Sequence, residues 1–189
     1  PSINYSFPMK LILETERLML REMDEKDLPA LIETLEDRET MYAYGGPFSR
    51  EETISWLEKQ KARYREDGFG LWAVIEKSSG SFLGQCGLTI QTWKEEKVLE
   101  IGYLFSRANW GKGYAIESAR AVRDYAFSTL KAKEVCSIIR SSNCPSMRVA
   151  IRNGMVPRDT WTKHYRGIDM DHIRFILSKE EFCKNLDIQ

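Results

Sequence analysis

The sequence predicts a mixed α/β (α+β) domain, with one twisted, mostly antiparallel sheet that carries helices on both faces. Apolar residues alternate at strand spacing in some segments and recur at helical spacing in others, giving the order β-α-α-β-β-β-α-β-α-β-β. Strands that follow one another without a helix predict antiparallel pairs, whereas a strand–helix–strand unit predicts a parallel pair. A single mixed sheet satisfies both patterns.

Capping residues place the first two helices. Asp24 caps the first, and Ser49 with Glu52 forms a capping box for the second, which runs through about Glu66. The apolar stripe of the second helix is predicted at Ile54, Leu57 and Tyr64.

The third helix follows Gly113 and leads to a buried strand at Val135–Ile139, which should lie parallel to the strand before the helix. The fourth helix begins at Ser142 or Asn143 and ends at Gly154. Serine- and glycine-containing turns predict hairpins at 78–81 and 166–167. The remaining strands are predicted within Leu11–Glu22 and at Leu71–Glu76, Phe82–Thr92, Val98–Phe105, Met155–Lys163 and Met170–Leu177.

Length and charge bound the organisation and the partners. The 189 residues predict an irregular arm at 1–10, a single domain at 11–183 and a tail at 184–189. The 28 basic and 28 acidic residues balance, so neither nucleic acid nor an anionic membrane is an expected partner.

Cysteine and histidine usage gives no indication of a metal centre. The four cysteines are widely spaced and the two histidines, His164 and His172, have no cysteine partner at metal-ligand spacing. We expect free thiols in a reducing cytoplasm. The first ten residues also lack the basic and apolar regions of a signal peptide.

The strongest functional pattern is a glycine loop between a strand and a helix. Gly111 and Gly113 precede the third helix, where free backbone N–H groups and the helix dipole favour phosphate. The P-loop pattern requires Ser or Thr directly after its lysine, but Lys112 is followed by Gly113, so the loop does not match that pattern. A dinucleotide-binding loop is weakly matched, because Ile116 stands where its third glycine is required.

Several motifs, in order, resemble the GNAT superfamily of acyl-CoA N-acyltransferases, specifically its RimJ/RimL-like branch. Trp110 replaces the Gln or Arg that usually opens the family's loop motif, and Met155 replaces its usual Phe. The matching segments are Leu13–Arg21, Phe69–Lys77, Phe82–Leu88, Trp110–Ala115, Asn143 with Ser146 and Arg148, Arg152–Met155, and Asp171–Phe182. The resemblance implies a GNAT-like fold and acetyl transfer from acetyl-CoA to an amine, without a metal.

The resemblance also implies which residues bind acetyl-CoA. The pantetheine arm is expected along the backbone of Leu104, Phe105 and Ser106, and Asn143 is expected either to bond that arm or to cap its helix. The pyrophosphate is expected on the loop formed by Trp110, Gly111, Lys112, Gly113, Tyr114 and Ala115.

Two residues are candidates for proton transfer. Glu100, which is expected to begin the strand before the loop, is the candidate base, directly or through water; otherwise it is a solvated charge. Ser146 is a candidate for cofactor binding and for protonating the leaving thiolate; otherwise it is a capping serine. Many relatives outside this branch use a tyrosine where this chain has Ala150.

The acceptor remains open at this level: a protein N-terminus, a polyamine, an amino sugar or an antibiotic would all serve. The loop Tyr42–Pro47 and the segment Trp161–Gly167 are expected at its rim, with Trp56, Trp72 and Trp93 as further candidates. The rival hypotheses are a non-catalytic acyl-CoA-binding sensor on the same fold and a module that binds ATP or NAD. Family members often pair, so a homodimer is possible.

Overall fold

The computed structural model describes residues 10–186, so the predicted arm lies outside the described residues except for Lys10. The strands are β1 (Leu11–Glu14), β2 (Leu18–Arg21), β3 (Leu71–Glu76), β4 (Phe82–Trp93), β5 (Glu96–Phe105), β6 (Glu134–Arg140), β7 (Val156–Tyr165) and β8 (Ile168–Ser178). The α-helices are α1 (Leu28–Leu35), α2 (Arg50–Glu66), α3 (Tyr114–Ser128), α4 (Cys144–Arg152) and α5 (Lys179–Leu186).

One eight-stranded sheet organises the chain, with the strand order β1-β2-β3-β4-β5-β6-β8-β7. Every neighbouring pair is antiparallel except β5 and β6, which are parallel across the α3 crossover. The predicted mixed, mostly antiparallel sheet is therefore confirmed.

One end of the domain is more elaborate than predicted. Residues 11–22 form two strands instead of one, because the chain turns between Glu14 and Leu18 and β1 folds back on β2. At the other end the Ser178 hydroxyl accepts a bond from the Glu181 N–H, a cap that the sequence also predicts, and α5 runs to Leu186.

Helices cover both faces of the sheet, as predicted. Since strand residues alternate between faces, Ile101 and Phe105 of β5 pack on the α3 side, whereas Leu104 packs on the side of α1 and α2. No helix between residues 10 and 186 has both the length and the apolar character needed to cross a bilayer.

The buried stripe of α2 differs from the predicted one. Ile54 is 44% exposed, and the fully covered positions include Thr53, Leu57 and Gln60. Two polar residues can be buried there because each is hydrogen bonded: Thr53 donates to a Glu36 carboxylate oxygen, and the Gln60 Oε1 accepts from the Leu71 N–H.

Candidate functional site

A fork in the sheet lies between β5 and β6. The two strands are in register at Glu100 and Cys136 and then diverge toward the start of α3. Side-chain donors cover three carbonyl oxygens of β5: Ser137 Oγ bonds Ile101 O at 2.8 Å, Tyr44 Oη bonds Tyr103 O at 3.3 Å, and Trp110 Nε1 bonds Phe105 O at 2.8 Å. Alternation along the strand thus directs the backbone of Tyr103 and Phe105 into the fork and that of Leu104 toward Gln85 on β4.

A first cavity of about 450 Å³ lies on the α3 and α4 side of the fork and extends from the glycine loop to Ser146. Ser106 and Lys112 are absent from its wall; Ser106 instead accepts a bond from Asn109 at the start of the loop. The predicted cofactor residues that do line the cavity are Leu104, Phe105, Trp110, Gly111, Gly113, Tyr114, Ala115, Asn143 and Ser146.

The glycine loop has the backbone geometry of an anion site. Gly111 and Gly113 have φ angles of 72° and 79°, in the left-handed region that side chains other than glycine's rarely occupy. Gly113 is the N-cap of α3 and offers no side-chain cap, so the first N–H groups of the helix remain available to a ligand. The loop and the cavity beside it are therefore suited to a ligand that carries phosphate.

Arg17, which lies between β1 and β2, contacts the glycine loop and the start of α3. Its Nη1 donates to the Lys112 carbonyl oxygen at 3.0 Å, its Nε pairs with Glu117 at 2.7 Å, and its guanidinium lies 4.7 Å from the Tyr114 ring centre. Sequence reasoning assigned Arg17 no role, although it lies inside the quoted Leu13–Arg21 motif. The contact joins that motif to the loop motif, which is distant in sequence.

Trp110, the departure from the family pattern, closes the loop against β5. Its ring is 54% exposed and lines the first cavity, while its indole N–H holds the Phe105 carbonyl. The side chain thus tethers the start of the loop to the strand without using the amides of Gly111 and Gly113.

A second cavity of about 310 Å³ opens on the α1 and α2 side of the fork. Its walls include Glu100, Gly102 and residues of α2, with aromatic rings from Phe48 and Trp56. The two cavities share Ala43, Tyr44, Tyr103, Leu104, Asn143 and Ser146, so they meet at this group of residues.

Glu100 lies within β5 rather than at its beginning, because the strand already starts at Glu96. It is opposite Thr89 on β4 and Cys136 on β6, and its Oε2 accepts from the Ile138 N–H at 3.1 Å. Burial raises the pKa of Glu100 to about 7, against the smaller lowering effects of the Ile138 N–H, the Lys163 and Arg63 charges and the Thr89 hydroxyl. A carboxylate with this pKa is suited to accept a proton near neutral pH.

Asn143 and Ser146 lie at the start of α4, where the cavities meet. The Asn143 Oδ1 accepts from the Ser146 N–H at 3.3 Å, which confirms the helix-capping role. The Tyr103 hydroxyl donates to the Ser146 carbonyl oxygen at 2.6 Å and ties α4 to β5. The Ser146 side chain is half-buried between the two cavities.

Tyr44 reaches the same place from a distant loop. It lines both cavities, and burial raises the pKa of its hydroxyl to about 12, while a hydrogen bond with Ser146 acts in the opposite direction. The phenol therefore stays protonated at neutral pH and can donate a proton or a hydrogen bond. The sequence placed Tyr44 at the rim; the 3₁₀ turn Tyr42–Tyr44 brings it to the centre.

The other candidates divide between site, core and surface. Trp72 and Trp93 are buried in the core, at 0% and 1% exposure, so they do not form the acceptor rim. Tyr165 and His172 line the second cavity, whereas His164 is exposed and contacts Asp169. Within residues 10–186 no cluster of three or more His, Cys, Asp or Glu side chains forms a metal site, and all four cysteines are free thiols.

Comparison with known proteins agrees with this geometry. Residues 17–156 match the sequence model described as an acetyltransferase (GNAT) domain. An uncharacterized protein of Bacillus subtilis, YkkB, is 37% identical over 147 residues, which cover 77% of this chain and 86% of YkkB. The uncharacterized N-acetyltransferase YnaD of the same species is 27% identical over 168 residues, which cover 82% of this chain and 95% of YnaD. An acetyltransferase structure from Agrobacterium tumefaciens superposes with a TM-score of 0.76 at 28% identity, covering 95% of this chain and all of its own. The chain therefore belongs to the GNAT acetyltransferase family, whose members use acetyl-CoA.

Proposed function

We propose that this protein transfers an acetyl group from acetyl-CoA to a primary amine by direct attack in a ternary complex. The observation that carries the proposal is the meeting of two cavities at Tyr44 and Ser146 through the fork of the sheet. Two ligands that enter from opposite faces would have their reacting ends side by side there, which is what a direct transfer requires.

The first cavity is assigned to acetyl-CoA. The amides of Gly111 and Gly113 and the start of α3 bind the pyrophosphate, and the backbone of Tyr103 and Phe105 lies along the path from the loop to Ser146. Bound acetyl-CoA supplies an activated acyl group, so the protein needs to align the amine and stabilise negative charge.

The second cavity is assigned to the amine. Glu100 faces it with a pKa of about 7, and we assign it as the base that takes a proton from the attacking amine, directly or through water. Gly102, next but one on the strand, leaves the floor of the cavity beside Glu100 open; a Cβ there would lie 3.8 Å from the Glu100 Oε1.

Ser146 and Tyr44 are assigned to the leaving thiolate. The Ser146 hydroxyl lies in the first turn of α4, where the helix dipole favours negative charge, and the protonated Tyr44 phenol, which donates to the Tyr103 carbonyl oxygen, lines the same junction of the two cavities. The pair takes the place of the tyrosine that many other GNAT enzymes carry where this chain has Ala150.

We further propose that the protein belongs to the RimJ/RimL-like branch and acts in the cytoplasm. The Leu13–Arg21 motif and the aromatic residue at position 110 support the branch. The four free thiols support a reducing compartment.

The test combines binding with turnover. Calorimetry should show tight binding of acetyl-CoA and weak binding of ATP and NAD; failure to bind acetyl-CoA would overturn the proposal. Release of free thiol is then followed with a panel of amines that includes N-terminal peptides and small molecules. Binding without turnover of any amine would instead identify a non-catalytic sensor.

A further inference from the structure

The acceptor cavity has a cationic wall on α2. Lys59 and Arg63 both line the second cavity, and residues four apart lie on the same face of a helix. Their Cα atoms are separated by about 6 Å along the helix axis. Two long side chains at that spacing can reach one carboxylate or phosphate group.

These two cations have no carboxylate partner within 4.0 Å among residues 10–186, whereas other cations of α2 do. Arg50 pairs with Glu36, and Lys61 pairs with Glu25 and Glu58. The hydrogen bond that Arg63 makes is to the neutral amide oxygen of Gln60 at 3.2 Å. Burial lowers the pKa of Arg63 against the opposing effect of the Glu100 and Asp67 charges, and partial burial together with the Arg63 charge lowers the pKa of Lys59.

A third cation and a histidine also line the second cavity. Arg140 also lines it and donates to the Tyr42 carbonyl, so its charge is not neutralised by that contact. Burial and the nearby charges of Lys163 and Arg140 lower the pKa of His172, which leaves this imidazole neutral at pH 7. Glu100 is the carboxylate of the lining, and its charge acts on Arg63 without forming an ion pair within 4.0 Å.

We infer that the acceptor is a small amine that also carries an anionic group, which Lys59 and Arg63 bind while the amine faces Glu100 and Ser146. This inference rests on the proposed function. A cavity of about 310 Å³ has the size of a small-molecule site. The same charges oppose a polyamine, whose several ammonium groups would lie against Lys59 and Arg63.

Matched pairs of amines test the charge directly. The first pair compares 4-(aminomethyl)benzoate, which carries a carboxylate, with benzylamine, and it is chosen because the cavity lining is aromatic. The second pair compares phosphoethanolamine, which carries a phosphate, with ethanolamine. Spermidine represents the cationic amines. We expect kcat/KM to be higher for the anionic member of at least one pair, and spermidine to be the poorest substrate. Equal or better turnover of the neutral member in both pairs, or turnover of spermidine equal to or above that of the preferred anionic amine, would overturn the inference.

Neutral variants locate the effect. Lys59→Gln and Arg63→Gln should each raise KM for the preferred anionic amine about 10- to 100-fold, as expected for a lost charge-assisted hydrogen bond. KM for acetyl-CoA should stay within about two-fold of wild type, which is about the error of the assay. The same limit applies to kcat/KM for the amine of the pair that lacks the anionic group. Arg65→Gln is the matched control, because Arg65 is exposed on the same helix and lies outside the cavity wall. Measurement at pH 8.5 keeps Glu100 ionised in every variant. Variants with unchanged KM would refute the assignment.

A binding experiment separates this inference from the proposed function. Calorimetry is carried out with the CoA-bound protein and each member of the matched pairs. If no amine is acetylated, the proposed function fails, yet tighter binding of an anionic member that is lost in Arg63→Gln would still support the anion site. If amines are acetylated and anionic and neutral members bind equally, the proposed function stands and this inference is wrong.

Discussion

Replacement of Glu100 by Gln gives the most quantitative test of the site, because the carboxylate is held in surroundings that oppose its charge. The pKa of Glu100 lies at about 7 in the folded protein, against an ordinary value of 4.5. The folded chain therefore holds this proton more tightly than the unfolded chain, and the free energy of unfolding falls as the pH rises from about 4.5 to 7. At 1.36 kcal/mol for each pH unit of difference, the loss amounts to about 3 kcal/mol above pH 7.

Glu100→Gln removes this loss while keeping an amide oxygen that can accept from the Ile138 N–H. Because part of the loss has already occurred at pH 5, the variant should gain about 2.5 kcal/mol relative to wild type between pH 5 and pH 8.5. Urea denaturation followed by circular dichroism at several pH values measures the difference, in which the other titrating groups cancel. Glu95→Gln is the matched control, because it removes a carboxylate from the exposed turn between β4 and β5.

The same variant tests the chemistry. In wild type, kcat/KM should rise with pH through about 7 as Glu100 loses its proton, and this limb should be absent from Glu100→Gln. Stability curves of the two proteins that run parallel from pH 5 to pH 8.5 would refute the argument that burial raises this pKa. Superimposable pH–rate profiles would remove Glu100 from the role of base.

Three further substitutions test the remaining parts of the site. Ser146→Ala should lower kcat about 10- to 100-fold with little change in KM for acetyl-CoA; steady-state kinetics that give an unchanged kcat would exclude it as a proton donor. Tyr44→Phe should lower kcat similarly, and the double variant should lose less than the product of the two effects if the hydroxyls act as a pair; fully multiplicative losses would show independent roles. Gly113→Glu should abolish acetyl-CoA binding in calorimetry, and retained binding would place the phosphates elsewhere. Gly113→Ala should mainly lower the free energy of unfolding, by about 1–2 kcal/mol, because φ is 79° at this position.

Features determined by neighbouring residues could be predicted from the sequence. The Ser49–Glu52 capping box forms as expected, and so does the Asn143 cap of α4. The turn at Arg166 and Gly167 has positive φ at both residues, as a two-residue hairpin turn requires. Each of these depends on contacts within a few residues, which is the range over which a sequence pattern is informative.

Features that join distant segments could not be predicted in this way. Arg17 hydrogen bonds to a loop about a hundred residues further along the chain. Tyr44 and Ser146 line the same two cavities, although a 3₁₀ turn carries one and the start of α4 carries the other. Glu100 was predicted at the beginning of β5 but lies within the strand. The preceding turn is confined to Lys94 and Glu95, with Lys94 at a φ of 53°, so β5 begins at Glu96, before its first apolar residue.

The fork between β5 and β6 also bears on how this protein avoids self-association. Two strands that separate inside a sheet expose backbone groups that could recruit a strand from another molecule, the usual route to edge-to-edge aggregation. Here the diverging edge of β5 is occupied by the Ser137 hydroxyl, the Tyr44 phenol and the Trp110 indole. Because these carbonyl oxygens already have hydrogen-bond donors, a strand of another molecule cannot pair with β5 at the fork. Substitutions at Tyr44 or Trp110 should therefore reduce solubility on heating as well as activity.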